Sequence, residues 1–227
     1  MKDKRSKYIK KLKQYVKERL KKEGMKNLSK ILKEIRQRYV KEIVKFGIKD
    51  PEQSWKPFKG KLLEDVILDY IVEELRKIGF EVIKGSKLEK ADNKLGECLS
   101  KVKRSIVVDF GEFGMHLPDA DLVVYEPKKC KPIAIISSKA TLRERIAQTG
   151  YWNVKLKASP TTANIRVFFV TLDEDGDLTL KKPAKKGRAI AEVDTDGTFV
   201  ITNKRLEESN KVKTIEKLLE TFKKLTR

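Results

Sequence analysis

Residues 116–152 read HLPDADLVVYEPKKCKPIAIISSKATLRERIAQTGYW, and this stretch decides the fold class. Two apolar, β-branched runs, DLVVYE at 121–126 and PIAIISS at 132–138, flank the turn-like PKKCK at 127–131, which predicts a β-hairpin. Directly after it, Thr141 and Glu144 have the spacing of a capping box ahead of Ile146, Ala147, Tyr151 and Trp152, so a helix should follow. Strand, turn, strand and helix in so short a span belong to an α/β unit.

Upstream of the hairpin, Leu63, Val66, Ile67, Tyr70, Ile71, Leu75 and Ile78 keep helical register, and Gly79 closes that helix. EVI at 81–83 and SIVVDF at 105–110 read as strands. Downstream, 165–172 reads as a strand, Asp196-Gly197 as a hairpin turn, and 206–225 as an amphipathic helix. Nearer the N-terminus, Leu28, Ile31, Leu32, Ile35, Tyr39, Ile43 and Val44 recur at helical spacing, and Tyr8, Leu12, Tyr15 and Val16 form a weaker stripe before Gly24. The Pro- and Gly-bearing stretch 50–60 reads as a linker. The expected organisation is a basic N-terminal helical region, 1–50, followed by a main domain, 51–227, whose α/β core is a mixed β-sheet flanked by helices.

The 227 residues carry 53 Lys and Arg against 33 Asp and Glu, a formal net charge of +20. The first 50 residues hold 19 of those bases and 6 of the acids, so the charge is concentrated there. Such a chain should bind a polyanion by neutralising phosphates and releasing counterions, with nucleic acid the leading partner. Those basic helices could embrace DNA, or pack on the main domain or a second subunit. No apolar run approaches the ~20 residues of a spanning helix, and the first residues lack a signal-peptide core, so no membrane association and a cytoplasmic location are expected. Cys98 and Cys130 match neither a metal knuckle nor a disulfide framework and are expected to be reduced. A single histidine, His116, builds neither a zinc cluster nor a triad. Carboxylates and lysine are left to carry any chemistry.

Folding the hairpin about residues 128 and 129 brings Asp119 opposite Ser138 and Lys139, with Asp121 on the same strand face as Asp119. Carboxylates that hold Mg²⁺, beside a lysine that orients a water and stabilises developing charge, are what phosphodiester hydrolysis needs. Pro118-Asp119 and Ser137-Ser138-Lys139, 18 residues from Asp119 to Ser137, resemble the PD-(D/E)xK nuclease superfamily. With Arg143, Glu144 and Arg145 following shortly after Lys139, the string is similar to the restriction endonucleases that read a CCGG core, of the BsaWI group. In that family Ser-x-Lys replaces Glu-x-Lys and an Arg-acid-Arg triplet reads the bases. The chemistry agrees, since arginine grips guanine O6 and N7 while a carboxylate accepts from cytosine N4.

This resemblance implies a restriction-endonuclease-like core and a Mg²⁺-dependent type II enzyme. Such an enzyme would cut both strands of double-stranded DNA at a short palindrome, as a homodimer whose two-fold axis matches that of its site. The better-known CCGG enzymes carry a glutamate on the following helix, where this chain has Tyr151, Trp152 and Asn153. Glu64 is the first substitute for that metal-binding acid, Asp121 the second, and Gln148 a neutral helper. Tyr151 and Trp152 themselves are expected to pack in the core. Rival readings are a junction-resolvase-like, structure-selective nuclease and a non-catalytic nucleic-acid-binding protein.

Overall fold

Apolar side chains three and four residues apart give α1 (Lys2–Glu23) and α2 (Leu28–Ile43), which break at Gly24, whose φ of 79° suits a residue without Cβ. The computed structural model describes residues 2–226, with the side chains of Lys2 and Arg143 outside the described set. Leu28, Ile31, Leu32, Ile35, Tyr39 and Ile43 are all buried on one face of α2.

The next helix, α3 (Pro51–Lys77), absorbs the stretch 50–60 that the sequence suggests as a linker. Asp50 caps it by accepting from the Gln53 amide at 2.8 Å, and Pro51 sits where a helix has no use for an N–H. Inside the helix, Gly60 costs about 1 kcal/mol and Pro57 about 3 kcal/mol. Trp55 and Phe58 offset this by burying against Tyr39, with ring centroids 5.3 and 4.8 Å away. Aromatic packing therefore overrides the breakers. The far end closes at Gly79 as expected, with Phe80 N donating to Leu75 O at 2.9 Å.

The remaining elements are β1 (Glu81–Lys84), a single turn α4 (Gly85–Leu88), α5 (Glu97–Arg104), β2 (Val108–Asp109), β3 (Met115–His116), β4 (Leu122–Glu126), β5 (Lys131–Lys139), α6 (Arg143–Lys157), β6 (Arg166–Thr171), α7 (Lys186–Asp194), β7 (Gly197–Val200), β8 (Val212–Thr214) and α8 (Lys217–Lys224). A six-stranded sheet runs β1-β4-β5-β6-β7-β8, and β2 pairs with β3 in a separate ribbon. The β1–β4 and β4–β5 pairs are antiparallel and the other three are parallel, so the sheet is mixed, as predicted. Alternation along the strands splits the core. Leu122, Val124, Ala134, Ile136, Phe168, Val170 and Phe199 join one apolar cluster with α1, α2, α3 and α8. On the opposite face, Val123, Ile135 and Val167 meet α5 and Leu156 of α6, while Phe169, Val200 and Val212 meet Leu142, Ile146 and Ala191. No helix among the described residues is long and apolar enough to cross a membrane.

Several local expectations are corrected. Only Val108 and Asp109 of SIVVDF pair as a strand, because Ser105 ends α5 and Ile106 is buried without pairing. Asp196-Gly197 makes no hairpin: it leads from α7 into β7, parallel to β6, and the Asp196 carboxylate accepts from Val167 N at 2.9 Å. The final helix begins at Lys217, not 206, because Val212–Thr214 pair with β7 as β8 and the fully buried Arg188 holds the loop before them, donating to Glu207 O at 2.7 Å and Leu178 O at 2.5 Å. Cys98 and Cys130, expected to be reduced, form a disulfide. The tip of the β4–β5 hairpin lands on the start of α5, with Cα atoms 5.1 Å apart, a tertiary contact that sequence spacing does not encode.

Candidate active site

The β4–β5 hairpin delivers Asp121 to the strand end that carries Lys139. Leu122 pairs with Ile136, and Asp121 N donates to Ile136 O at 3.0 Å. The Asp121 carboxylate accepts from Ser138 N at 2.5 Å, from Ser138 Oγ at 3.3 Å, and from Lys139 Nζ at 3.1 and 3.3 Å. Asp121 and Lys139 side chains are 19% and 23% exposed, so this ion pair is partly sheltered from solvent screening.

Asp119, expected beside Lys139, lies elsewhere. β4 pairs only from Leu122, and Ala120 before it packs against Gly85, whose amide donates to Asp121 O at 2.9 Å. A Cβ at Gly85 would stand 1.8 Å from Ala120 O, so this close approach requires glycine. Asp119 is exposed and borders a hollow of 290 Å³ with Leu117, Pro118 and Trp152. The buried Ser137 donates its hydroxyl to Asp119 O at 3.2 Å and does not border the site of Lys139.

Asp121, Ser138 and Lys139 open into a cleft of 1220 Å³, whose walls come from α2, α3, the start of α6 and the segments after β6 and β7. Glu64 of α3 lines it, 17% exposed, with Lys84 Nζ 3.1 Å from its Oε1. Lys84 also bonds Asp65, which takes a second ammonium from Lys13 at 2.6 Å. Burial pushes the Asp65 carboxyl up, but Lys13 and Lys84 outweigh it and hold the group below its ordinary value. Burial likewise pulls the Lys84 ammonium down, and its bonds to Asp65 and Glu64 raise it on balance.

At the mouth of the cleft, α6 starts at Arg143 with Leu142 as its N-cap and no side-chain cap, so the Thr141–Glu144 capping box does not form. Buried Leu142 and Ile146 anchor the turn through the core instead. Glu144 and Arg145 are exposed, line the cleft, and make no ion pair or side-chain hydrogen bond with another described side chain. The side chain of Arg143 lies outside the described residues. Gln148 is exposed but does not line the cleft. Tyr151 is 45% exposed, contrary to its expected core role, whereas Trp152 packs edge-on against Phe110. Asn153 is tied to Asp194 O at 3.1 Å, and His116 Nε2 contacts Phe113 O at 2.9 Å.

Sequence reasoning missed several cleft residues. Lys59 and Glu174 form an ion pair at 2.6 Å between α3 and the loop after β6. Asp173, in left-handed backbone with φ 47°, accepts from Asp177 N at 2.9 Å and Leu178 N at 3.0 Å, and burial raises its pKa. The run Asp173-Glu174-Asp175-Gly176-Asp177 is a turn signal that could have flagged that corner.

Comparison with known proteins shows the family and the fold. The family model described as BsaWI restriction endonuclease type 2 matches residues 98–221. MjaVIP of Methanocaldococcus jannaschii, described as a type II restriction enzyme, is 38% identical over 187 residues, covering 78% of this chain and 81% of that protein. A relative so described from Helicobacter pylori is 35% identical over 127 residues, 55% of this chain and 61% of that one. Among solved structures, the restriction endonuclease AgeI in its DNA complex superposes with a TM-score of 0.53 over 84% of this chain and 71% of that chain, at 14% identity, which shows a shared restriction-endonuclease-like fold. A mixed sheet ending in an acid and lysine pair is thus joined to a sequence match over more than half the chain, and the protein belongs to the BsaWI family of type II restriction endonucleases.

Proposed function

We propose that the chain hydrolyses both strands of duplex DNA at a short palindrome with a CCGG core, as a Mg²⁺-dependent homodimer. The observation that carries this reading is the convergence of Glu64, Asp121 and Lys139 in one cleft with Glu144 and Arg145 at its mouth. Duplex DNA as the substrate is supported by the AgeI–DNA complex, whose fold this chain shares, and by the basic cleft wall of Lys30, Lys33 and Arg36 on α2 and Lys56 and Lys61 on α3. The basic region 1–50 then acts as a phosphate-gripping wall beside the catalytic region 51–227.

The donor set fits a hard cation. Glu64 and Asp121 offer carboxylate oxygens to the same cleft, and no group of three or more metal-binding side chains occurs among the described residues. Mg²⁺ commonly takes one or two protein carboxylates and completes its shell with water and substrate phosphate oxygens. Bound by Glu64 and Asp121, it would polarise the scissile phosphoryl group and acidify a water. Lys139, already oriented by Asp121, positions the attacking water and stabilises charge developing on the phosphoryl oxygens. Asp119 and Ser137, which do not border the cleft, are assigned no contact with the cation.

The α6 turn supplies the reading residues. Arg143 and Arg145 take guanine O6 and N7, and Glu144 accepts from the cytosine amino group. A palindrome presents each half-site twice, so two copies of the chain supply two reading turns and two cutting centres. The test is digestion of a fully sequenced plasmid with Mg²⁺ and mapping of the ends. Discrete fragments sharing a terminal CCGG-containing sequence support the reading; random nicking, cutting without Mg²⁺ at the same rate, or a common site lacking CCGG overturns it.

A further inference from the structure

Behind the cleft, α1, α3 and β1 meet in a chain of alternating charges, Lys13, Asp65, Lys84 and Glu64. Glu64 and Asp65 are adjacent on α3 but face differently: Glu64 lines the cleft, whereas Asp65 and Lys84 do not. The Lys84 ammonium is engaged by Glu64 and Asp65, and Lys84 itself is not part of the cleft wall. It ends β1, its Cα paired with Leu122, and the next amide, Gly85 N, donates to Asp121 O at 2.9 Å. The dipeptide Lys84-Gly85 thus reaches both cleft acids, Glu64 through the lysine side chain and Asp121 through the glycine backbone.

A glutamate bordering a cleft has several staggered rotamers open to it, and each must be lost before its carboxylate works in register with another. An ammonium 3.1 Å from Oε1 selects among them. That ammonium is itself held, because Asp65 binds it and is anchored from its other oxygen by Lys13 at 2.6 Å. We propose that Lys84 is a positioning residue that sets the Glu64 carboxylate at a fixed separation from Asp121, so that the two acids can share one hard divalent cation. This rests on reading Glu64 and Asp121 as the cation-holding acids. Lys84 acts through Glu64 and not on the DNA.

The test compares the full-length wild type with Lys84→Met, Lys84→Arg, Glu64→Gln and the Lys84→Met/Glu64→Gln double variant, measuring steady-state cleavage of a duplex and thermal melting. Lys84→Met should lower kcat about 10- to 100-fold, the usual effect of removing a group that orients a metal ligand, with KM little changed. Lys84→Arg should restore most of the loss, since it returns the cation. The double variant should cut no more slowly than Glu64→Gln alone, and the two single melting shifts should fail to add. If Lys84→Met does not fold, Lys84→Gln, which keeps a polar end, carries the same comparison. A wild-type rate in the lysine variant, or additive melting shifts, overturns the proposal while leaving the acids assigned. A wild-type rate in Glu64→Gln overturns the reading beneath it, and the proposal with it.

Discussion

The cleft presents two clusters of charge built on opposite principles. At the strand ends, Asp121 is held by Ser138 N, Ser138 Oγ and Lys139, mainly through Oδ2, and both partners of the ion pair are sheltered. At the first turn of α6, Glu144 and Arg145 stand in solvent without another described side chain as partner, while the backbone beneath them is pinned by buried Leu142 and Ile146. The first cluster is preorganised by hydrogen bonds that fix each atom, as a reaction centre needs. The second presents side chains that no other described side chain engages, on a rigid base, as a surface that reads base edges needs. Rigidity lies in the side chains of one and in the backbone of the other.

That contrast is open to attack from its strongest point downward. Lys139→Ala should slow single-turnover cleavage by about 100- to 10,000-fold, the range for a group that assists proton transfer or stabilises developing charge. Binding of the cognate duplex, followed by gel shift with Ca²⁺ in place of Mg²⁺, should survive. Loss of binding in step with cleavage would make the lysine part of the reading surface and dissolve the distinction. Gly85→Ala should have a smaller effect on folding and a secondary one on rate. The added Cβ meets Ala120 O, so the segment before Asp121 must shift, at a cost of about 1–3 kcal/mol in the unfolding free energy measured by denaturant titration. A stable variant with wild-type turnover would show that the approach of β1 to this segment does not set the acid. The smallest effect belongs to Arg145→Ala, which should cost about 1–3 kcal/mol per site copy in cognate binding and leave non-cognate binding nearly unchanged. Equal weakening of every sequence, with a salt slope reduced by about one unit, would make it a phosphate contact.

How far the sequence discloses this arrangement differs between the clusters. The hairpin, Lys139 and the helix after it are legible because β-branched runs, a turn and a following apolar periodicity are local signals. Glu64 is legible as an acid on the preceding helix. The choice between Asp119 and Asp121 is not, since counting residues across a hairpin gives register but not the point at which the chain leaves the strand. That point is set by Gly85, a residue 36 positions before Asp121. Lys84 and the cystine between Cys98 and Cys130 are hidden for the same reason, being contacts between distant segments. At 50–60 the local signals were present and misleading, because Trp55 and Phe58 bury against Tyr39 and overrule Pro57 and Gly60.

The central claim is that the acid paired with Lys139, not the one in the Pro-Asp dipeptide, serves the reaction. It is tested most directly by measuring single-turnover cleavage of one CCGG-containing duplex by Asp121→Ala and Asp119→Ala side by side at saturating enzyme. Asp121→Ala should lose about 100-fold or more in rate, since removing a direct ligand costs at least what removing a group behind it does. Asp119→Ala should stay near wild type. An active Asp121→Ala beside an inactive Asp119→Ala would contradict the account.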